Sequence, residues 1–325
     1  MNAHLDRLPV LVVNPHSLCN CRCAMCDIWK RTQADEIGPA LFDRQLEDME
    51  KLGVEWVVFS GGEALLHADL FRKAAELRRR GIKITLLSSG LLLARHAANI
   101  TAVFDEVIVS LDGPRAVHDL IRGVARAFDL MATGIRKLRA ERPGFPVSGR
   151  STIQRGNCAH LMETIAAART LGLDSISFLA ADIHSTAFNR QPLPLIDGLN
   201  IVAPRPRELV ALDAQLELVI ESGLCGGYVR ESPEKLRKIA HHFRCCLGEA
   251  VPVAPLCNAP WTSAVIEADG KVRPCFFHAP LGTLGEGAGL AEVLNGPAAV
   301  AFREQLNIET DPVCRKCVCS LNYHG

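Results

Sequence analysis

Cys19, Cys23 and Cys26 stand in a C-x3-C-x2-C spacing inside the segment CNCRCAMC. Three thiolates so arranged can each hold one iron of a [4Fe–4S] cluster and leave the fourth iron free for an exchangeable ligand. A zinc site in the same place would recruit a fourth protein ligand, for which His16 is the nearby candidate. A second set of cysteines comes much later. Cys257 is followed by Gly270 and, after four further residues, by Cys275, while Cys314 and Cys317 form a C-x2-C pair and Cys319 is left over. Knuckles of this kind serve metal ligation, and a four-cysteine zinc ribbon is one way to use them. Cys245 and Cys246 adjoin on a stretch whose apolar stripe runs through Leu236, Ile239, Ala240, Phe243 and Leu247, so Cys246 is expected in the core. The sharper alternative is a thiol pair that holds a thiophilic substrate. His241 and His242 on the same helix are expected at the surface.

Composition narrows the setting. Thirteen cysteines in 325 residues, behind an opening MNAHLDRLPV that lacks the apolar core of a signal peptide, argue for metal ligation or redox chemistry over structural disulfides. The protein is expected to be cytoplasmic. Lys+Arg 36 balance Asp+Glu 36, with no basic face or polybasic tail, which excludes nucleic acid as an expected partner. No uncharged apolar run reaches the ~18 residues of a membrane span.

These residues need a scaffold. Apolar runs rich in Val, Ile, Leu, Phe or Thr predict strands over 9–13, 55–60, 82–88, 106–111, 147–154 and 175–180. Helical patterns lie between them, over 43–52 and 69–80, and a helix opened by Asn157 closes at Gly172. Six β–α units imply a parallel sheet with helices outside and ligands at the carboxyl ends of the strands. The expected fold is therefore α/β, a partial (β/α)6 TIM-type barrel over 1–185. A proline-, asparagine- and glycine-rich stretch from 182 to about 207 reads as a loop, and amphipathic helices over 208–222 and 233–247 follow, so that 186–250 forms a linker with helices. A small Cys-rich α+β domain over 251–325, with strand-like pieces at 262–267 and 271–274, completes the chain.

At the three-cysteine loop the sequence resembles the radical S-adenosylmethionine (SAM) superfamily, whose cluster motif has this spacing after the first barrel strand. The resemblance spans about residues 9 to 185. Its second mark is Ser60-Gly61-Gly62-Glu63-Ala64, which looks like the family's glycine-glycine-glutamate motif. Gly61 and Gly62 would let the backbone approach the cofactor, and the Glu63 carboxylate would accept charge-assisted hydrogen bonds from its ammonium group. Met25 stands where the family often has an aromatic residue, and Ala64 where it often has proline. Cys21 falls at a position often apolar in the family and is read as a non-ligand. The resemblance further places Ser89, after the third strand, and Ser110 and Asp112, after the fourth, at ribose- and carboxylate-contacting positions. Arg150 and Thr152 on the fifth strand, and backbone near Leu179 on the sixth, would meet the carboxylate, ribose and adenine. His118, Asp119 and Arg122, in HDLIRG, are expected to order a loop.

The second set resembles the twitch or SPASM extension of one branch of the superfamily. It implies an auxiliary iron–sulfur cluster on Cys257, Cys275, Cys314 and Cys317. The resemblance as a whole implies an enzyme in which an external one-electron reductant of flavodoxin or ferredoxin type reduces the Cys19/Cys23/Cys26 cluster. SAM cleavage would then yield a 5′-deoxyadenosyl radical that takes hydrogen from a small-molecule or peptide substrate, and the auxiliary cluster would accept or relay electrons. A separate peptide-recognition domain does not fit before Cys19, which favours a small molecule. A non-catalytic iron–sulfur carrier is the competing reading, and Glu63 would have no purpose in it.

Overall fold

Short runs of β-branched and aromatic residues become strands wherever both of their faces are covered. In the computed structural model, which describes residues 2–190, 201–285 and 287–324, these are Val10–Val13 (β1), Trp56–Phe59 (β2), Lys83–Ser88 (β3), Glu106–Ser110 (β4), Val147–Ile153 (β5) and Ile176–Ala180 (β6). Each lies within a residue or two of the predicted run. They pair in parallel in the order β6-β5-β4-β3-β2-β1. Residues 191–200 of the predicted loop lie outside the described residues.

Past β1 the sheet continues with Ser263–Ile266 (β7), Lys271–Arg273 (β8) and Gly282–Thr283 (β9). β7 pairs parallel with β1, Leu11 opposite Ala264 and Val13 opposite Ile266, and β8 and β9 add antiparallel. The barrel is partial, with β6 and β9 at its open edges. Ala264, Ile266 and Val272 share one core with Leu11, Phe59, Leu86, Val109 and Phe178, which explains why the C-terminal stretch shows little apolar periodicity of its own.

Several elements differ from expectation for identifiable reasons. The 43–52 helix is two short ones, Pro39–Arg44 and Leu46–Lys51, the first opened by a proline whose fixed φ suits the first turn. Gln45, between them, donates from Nε2 to the Leu41 carbonyl at 3.0 Å and accepts from Leu290 N–H at 2.8 Å, so it fastens the helix Leu290–Asn295 to the barrel. Asn157 does not cap the next helix, Leu161–Thr170, directly. Its side chain accepts from Gln154 N–H and donates to the Asp112 and Thr152 carbonyls, tying the ends of β4 and β5 together. The helices Pro206–Glu221 and Pro233–Cys246 are packed elements, burying Leu212, Leu216, Leu236 and Phe243, and the second lies against β6.

Candidate active site

The loop that leaves β1 carries Cys19, Cys21, Cys23 and Cys26, and backbone hydrogen bonds hold it from two sides. On one side the carbonyls of Ile121 and Arg122, unpaired within their own helix because it ends there, accept from Ala24 N–H at 3.0 Å and Arg22 N–H at 2.8 Å. On the other, the loop after β2 packs against it: Glu63 N–H donates to the Leu18 carbonyl at 2.9 Å and Gly62 N–H to the His16 carbonyl at 3.3 Å. A Cβ on Gly62 would lie 2.0 Å from the Leu18 oxygen. Gly62 thus permits the close approach of one loop to the other.

Cys21 is buried between the two cysteines that flank it, and its thiol hydrogen-bonds both. That hydrogen bond pulls the Cys23 thiol down to about 6, with the Arg122 guanidinium, 3.6 Å from its sulfur, adding to the effect. The Cys19 thiol is lowered by its own bond to Cys21, while burial pushes Cys26 up to about 12. Met25 is half-buried, and its carbonyl accepts from Arg190 Nη1 at 2.7 Å.

Glu63 is fully buried. Its carboxylate accepts from Ser89 N–H at 2.8 Å, Ser89 Oγ at 2.6 Å, Ser88 Oγ at 3.0 Å and Leu65 N–H at 3.3 Å, and among the described residues it has no ion-pair partner. Burial raises its carboxyl against the pull of those donors. Ser89 Oγ also reaches the Asn20 side chain at 3.0 Å, which links the Glu63 loop to the cysteine loop through a residue that sequence reasoning passed over.

Asp112, which the resemblance places at a cofactor-contacting position, has its carboxylate engaged by protein groups. Its carboxylate accepts from Thr152 N–H at 2.8 Å and pairs with Arg122 at 2.6 Å, and it is buried completely because β4 and β5 close over it. His118 Nδ1 accepts from Asp112 N–H, and Asp119 accepts from Arg126 and Phe128 N–H. The HDLIRG string thus orders the loop after β4 and, through Arg122, touches Cys23. Replacing Arg122 by glutamine strands the Asp112 carboxylate, a loss of about 3–5 kcal/mol and a thermal midpoint lower by roughly 5–10 °C. Calorimetry of the variant beside the wild-type protein measures it.

The other candidates lie on the neighbouring strands β4, β5 and β6. Ser110 opposes Arg150 across β4 and β5, and Thr152 opposes Leu179 across β5 and β6. The Arg150 side chain is exposed, reaches Ser177 Oγ at 3.4 Å, and stands close enough to Cys319 and Glu231 to act on both electrostatically.

The C-terminal cysteines do converge. Burial pushes Cys314 up to about 12, with Cys275 and Cys257 adding to the rise, and the same neighbours act on Cys317. His278, absent from the sequence-based set, lies 3.4 Å from the Cys314 sulfur and 3.6 Å from Asp311, so its position three residues past Cys275 was the available signal. Cys319 is exposed beside them. Cys246 is buried, as its helical stripe required, but His242 is not a surface residue. Its Nε2 lies 3.6 Å from the Cys246 sulfur, because the helix packs this face on the chain leaving β6.

Both cysteine sets supply donors that fit iron–sulfur clusters. The first offers three thiols on one pinned loop, two of them with lowered proton affinity, and the second offers four gathered from three segments. Residues 13–179 match the profile of the "Radical SAM superfamily", and residues 257–318 match the "Iron-sulfur cluster-binding domain" called SPASM. The chain is 34% identical over 160 residues to "Fe-coproporphyrin III synthase" of Methanosarcina barkeri, which covers 47% of this chain and 39% of that protein. It is 31% identical over 181 residues to "PqqA peptide cyclase" of Gluconobacter oxydans, covering 54% and 50%. The chain thus spans half or less of these relatives' length. Its fold superposes on Streptococcus suis SuiB bound to S-adenosylmethionine with a TM-score of 0.67 and 15% identity, over 98% of this chain and 74% of that one.

Proposed function

The chain belongs to the radical SAM superfamily, and on that basis we propose that it is an oxidoreductase that binds S-adenosylmethionine and abstracts hydrogen from a small-molecule or peptide substrate. The observation that carries this reading is the three-cysteine loop braced against a buried carboxylate that has no ion-pair partner among the described residues. When bound, the cluster and SAM together supply a 5′-deoxyadenosyl radical, chemistry beyond any side chain.

The chain's own residues bind and orient. Cys19, Cys23 and Cys26 hold the first cluster, and Arg122 steadies the thiolate of Cys23. Glu63, met on four sides by donors, gains a full ion pair when an ammonium group arrives. Ser89 and Asn20 transmit that contact to the cysteine loop. Cys257, Cys275, Cys314 and Cys317 would hold an auxiliary cluster, which would supply a site for accepting or relaying electrons, and an external reductant of flavodoxin or ferredoxin type would serve the first cluster. In this reading residues 1–185 generate the radical, 186–250 bridge, and 251–325 carry the auxiliary cluster in a cytoplasmic enzyme. Porphyrin-forming and peptide-cyclising names among the relatives support a substrate of either class.

Reduced, iron-loaded protein mixed with SAM under anaerobic conditions is expected to release methionine and 5′-deoxyadenosine in equal amounts. Glu63→Gln removes one charge-assisted contact and should weaken SAM binding about tenfold or more with iron content unchanged. Fully iron-loaded protein that neither binds nor cleaves SAM would make the chain an electron carrier instead.

A further inference from the structure

His278 touches two of the four auxiliary cysteines, and it does so with two different groups. Its backbone N–H donates, with that of Phe277, to the Cys275 sulfur. Its ring reaches across to the other cysteine segment, where Nε2 lies 3.4 Å from the Cys314 sulfur. The ring is buried and held in place. Phe302 packs edge-on against it with centroids 5.0 Å apart, and Arg273 Nη1 donates to the His278 carbonyl at 2.8 Å.

Asp311 decides which ring nitrogen carries the hydrogen. Its carboxylate, 3.6 Å from Nε2, can only accept, so the hydrogen is assigned to Nε2. The same carboxylate accepts from Val313 N–H at 2.9 Å and Cys314 N–H at 2.8 Å, which turns the first amides of the Pro312–Arg315 helix away from the Cys314 sulfur. The Cys257 sulfur, by contrast, accepts from Ala259 N–H at 3.5 Å. Backbone donors thus serve Cys257 and Cys275, while a side chain serves Cys314. As a thiol, Cys314 also donates to Asp311. Iron would take the place of that proton and leave the sulfur purely an acceptor, with the His278 N–H already beside it.

We propose that His278 is a positioning residue of the auxiliary centre: its Nε2–H donates to the Cys314 thiolate once that sulfur carries iron, and so raises the reduction potential of the cluster. This rests on the auxiliary cluster proposed above. One-electron reduction of [4Fe–4S]²⁺ to [4Fe–4S]⁺ adds negative charge that spreads onto the sulfurs, so a donor at a sulfur favours the reduced form. No proton changes hands, because the hydrogen stays on the ring. A raised potential suits a centre that accepts electrons.

The test uses the full chain carrying Cys19→Ala, Cys23→Ala and Cys26→Ala, loaded with iron and sulfide so that the auxiliary cluster alone gives an EPR signal. Titanium(III) citrate supplies the electron. Against that background His278→Leu is expected to keep about four irons and to lower the midpoint by ~59 mV or more, tenfold in a one-electron equilibrium. His278→Gln, which restores a side-chain N–H, should recover most of the shift. A merely structural role would lower the iron content and leave the potential of the remaining clusters unmoved. If His278→Leu holds no iron, the intact ring decides: protein grown with ring-¹⁵N histidine should show a nitrogen coupled to the reduced cluster, and its absence overturns the assignment. Equal midpoints at equal iron overturn it too, while the auxiliary cluster stands. A parent protein without iron overturns both, as does zinc in its place on His278, Asp311 and Cys314, whose ligand atoms lie within 4.8 Å of one another.

Discussion

Replacing Cys257, Cys275, Cys314 and Cys317 together with alanine is expected to lower the iron content of the reconstituted protein from about eight to about four per chain. Sulfide should fall in parallel. The variant is expected to fold, because the C-terminal module is held by β7 in the main sheet, by Gln45 on the Leu290–Asn295 helix, and by Arg303. That buried guanidinium donates to the carbonyls of Pro260, Ala3 and Leu294 at 2.8–2.9 Å, so the module does not depend on its cysteines alone. SAM cleavage should persist, since Cys19, Cys23, Cys26 and Glu63 are untouched, while formation of oxidised product should fall at least ~100-fold for want of an electron acceptor. About four irons in both proteins would remove the auxiliary cluster and leave the C-terminal cysteines as a zinc or structural site.

Gly62→Ala is expected to produce the complementary loss. A methyl group there would sit 2.0 Å from the Leu18 carbonyl oxygen and 3.2 Å from Cys19 N, both backbone atoms of the cysteine loop, so the two loops must part. Overpacking of that kind costs about 2 kcal/mol or more locally. The larger effect is on chemistry: a displacement of about 1 Å in a group that must be held in register costs on the order of 100-fold in rate. Iron should fall toward the auxiliary share while the C-terminal cluster survives. Gly62, unlike Gly61 at φ +102°, has no left-handed backbone, so the effect is steric. A Gly62→Ala protein with full iron and wild-type SAM cleavage would show that the loops do not support each other as described.

Much of this was legible because it rests on local pattern. VLVV, WVVF and EVIVS announce strands through side chains that suit a covered sheet, and C-x3-C-x2-C and GGE announce a site through spacing. What escaped depends on partners distant in the chain. Gln45 breaks a helix because it serves a backbone donor at Leu290, and Asn157 serves carbonyls at Asp112 and Thr152. The resemblance places Asp112 at a cofactor-contacting position, and only the fold reveals Arg122 beside it. His242 is expected at the surface, yet its ring lies beside Cys246 and bonds the backbone at Ala181. His278 and Arg190 sit in segments without periodicity, where no pattern marks a buried contact.

The pairing of β7 with β1 sets a schedule for biosynthesis. Asn14, where the cysteine loop begins, donates its backbone N–H to Ile266 at 2.8 Å and its side chain to Glu267, 253 residues further along the chain. A ribosome must therefore have synthesised the chain through residue 267 before the strand that presents the first three cysteines is flanked on both sides. Until then β1 has an open edge, free to pair with other nascent chains. Iron delivered late, after residue 267 has emerged, would meet a finished loop, whereas iron delivered early would meet loose thiols. Maturation of the first site is thereby tied to emergence of the strand that opens the domain holding the second.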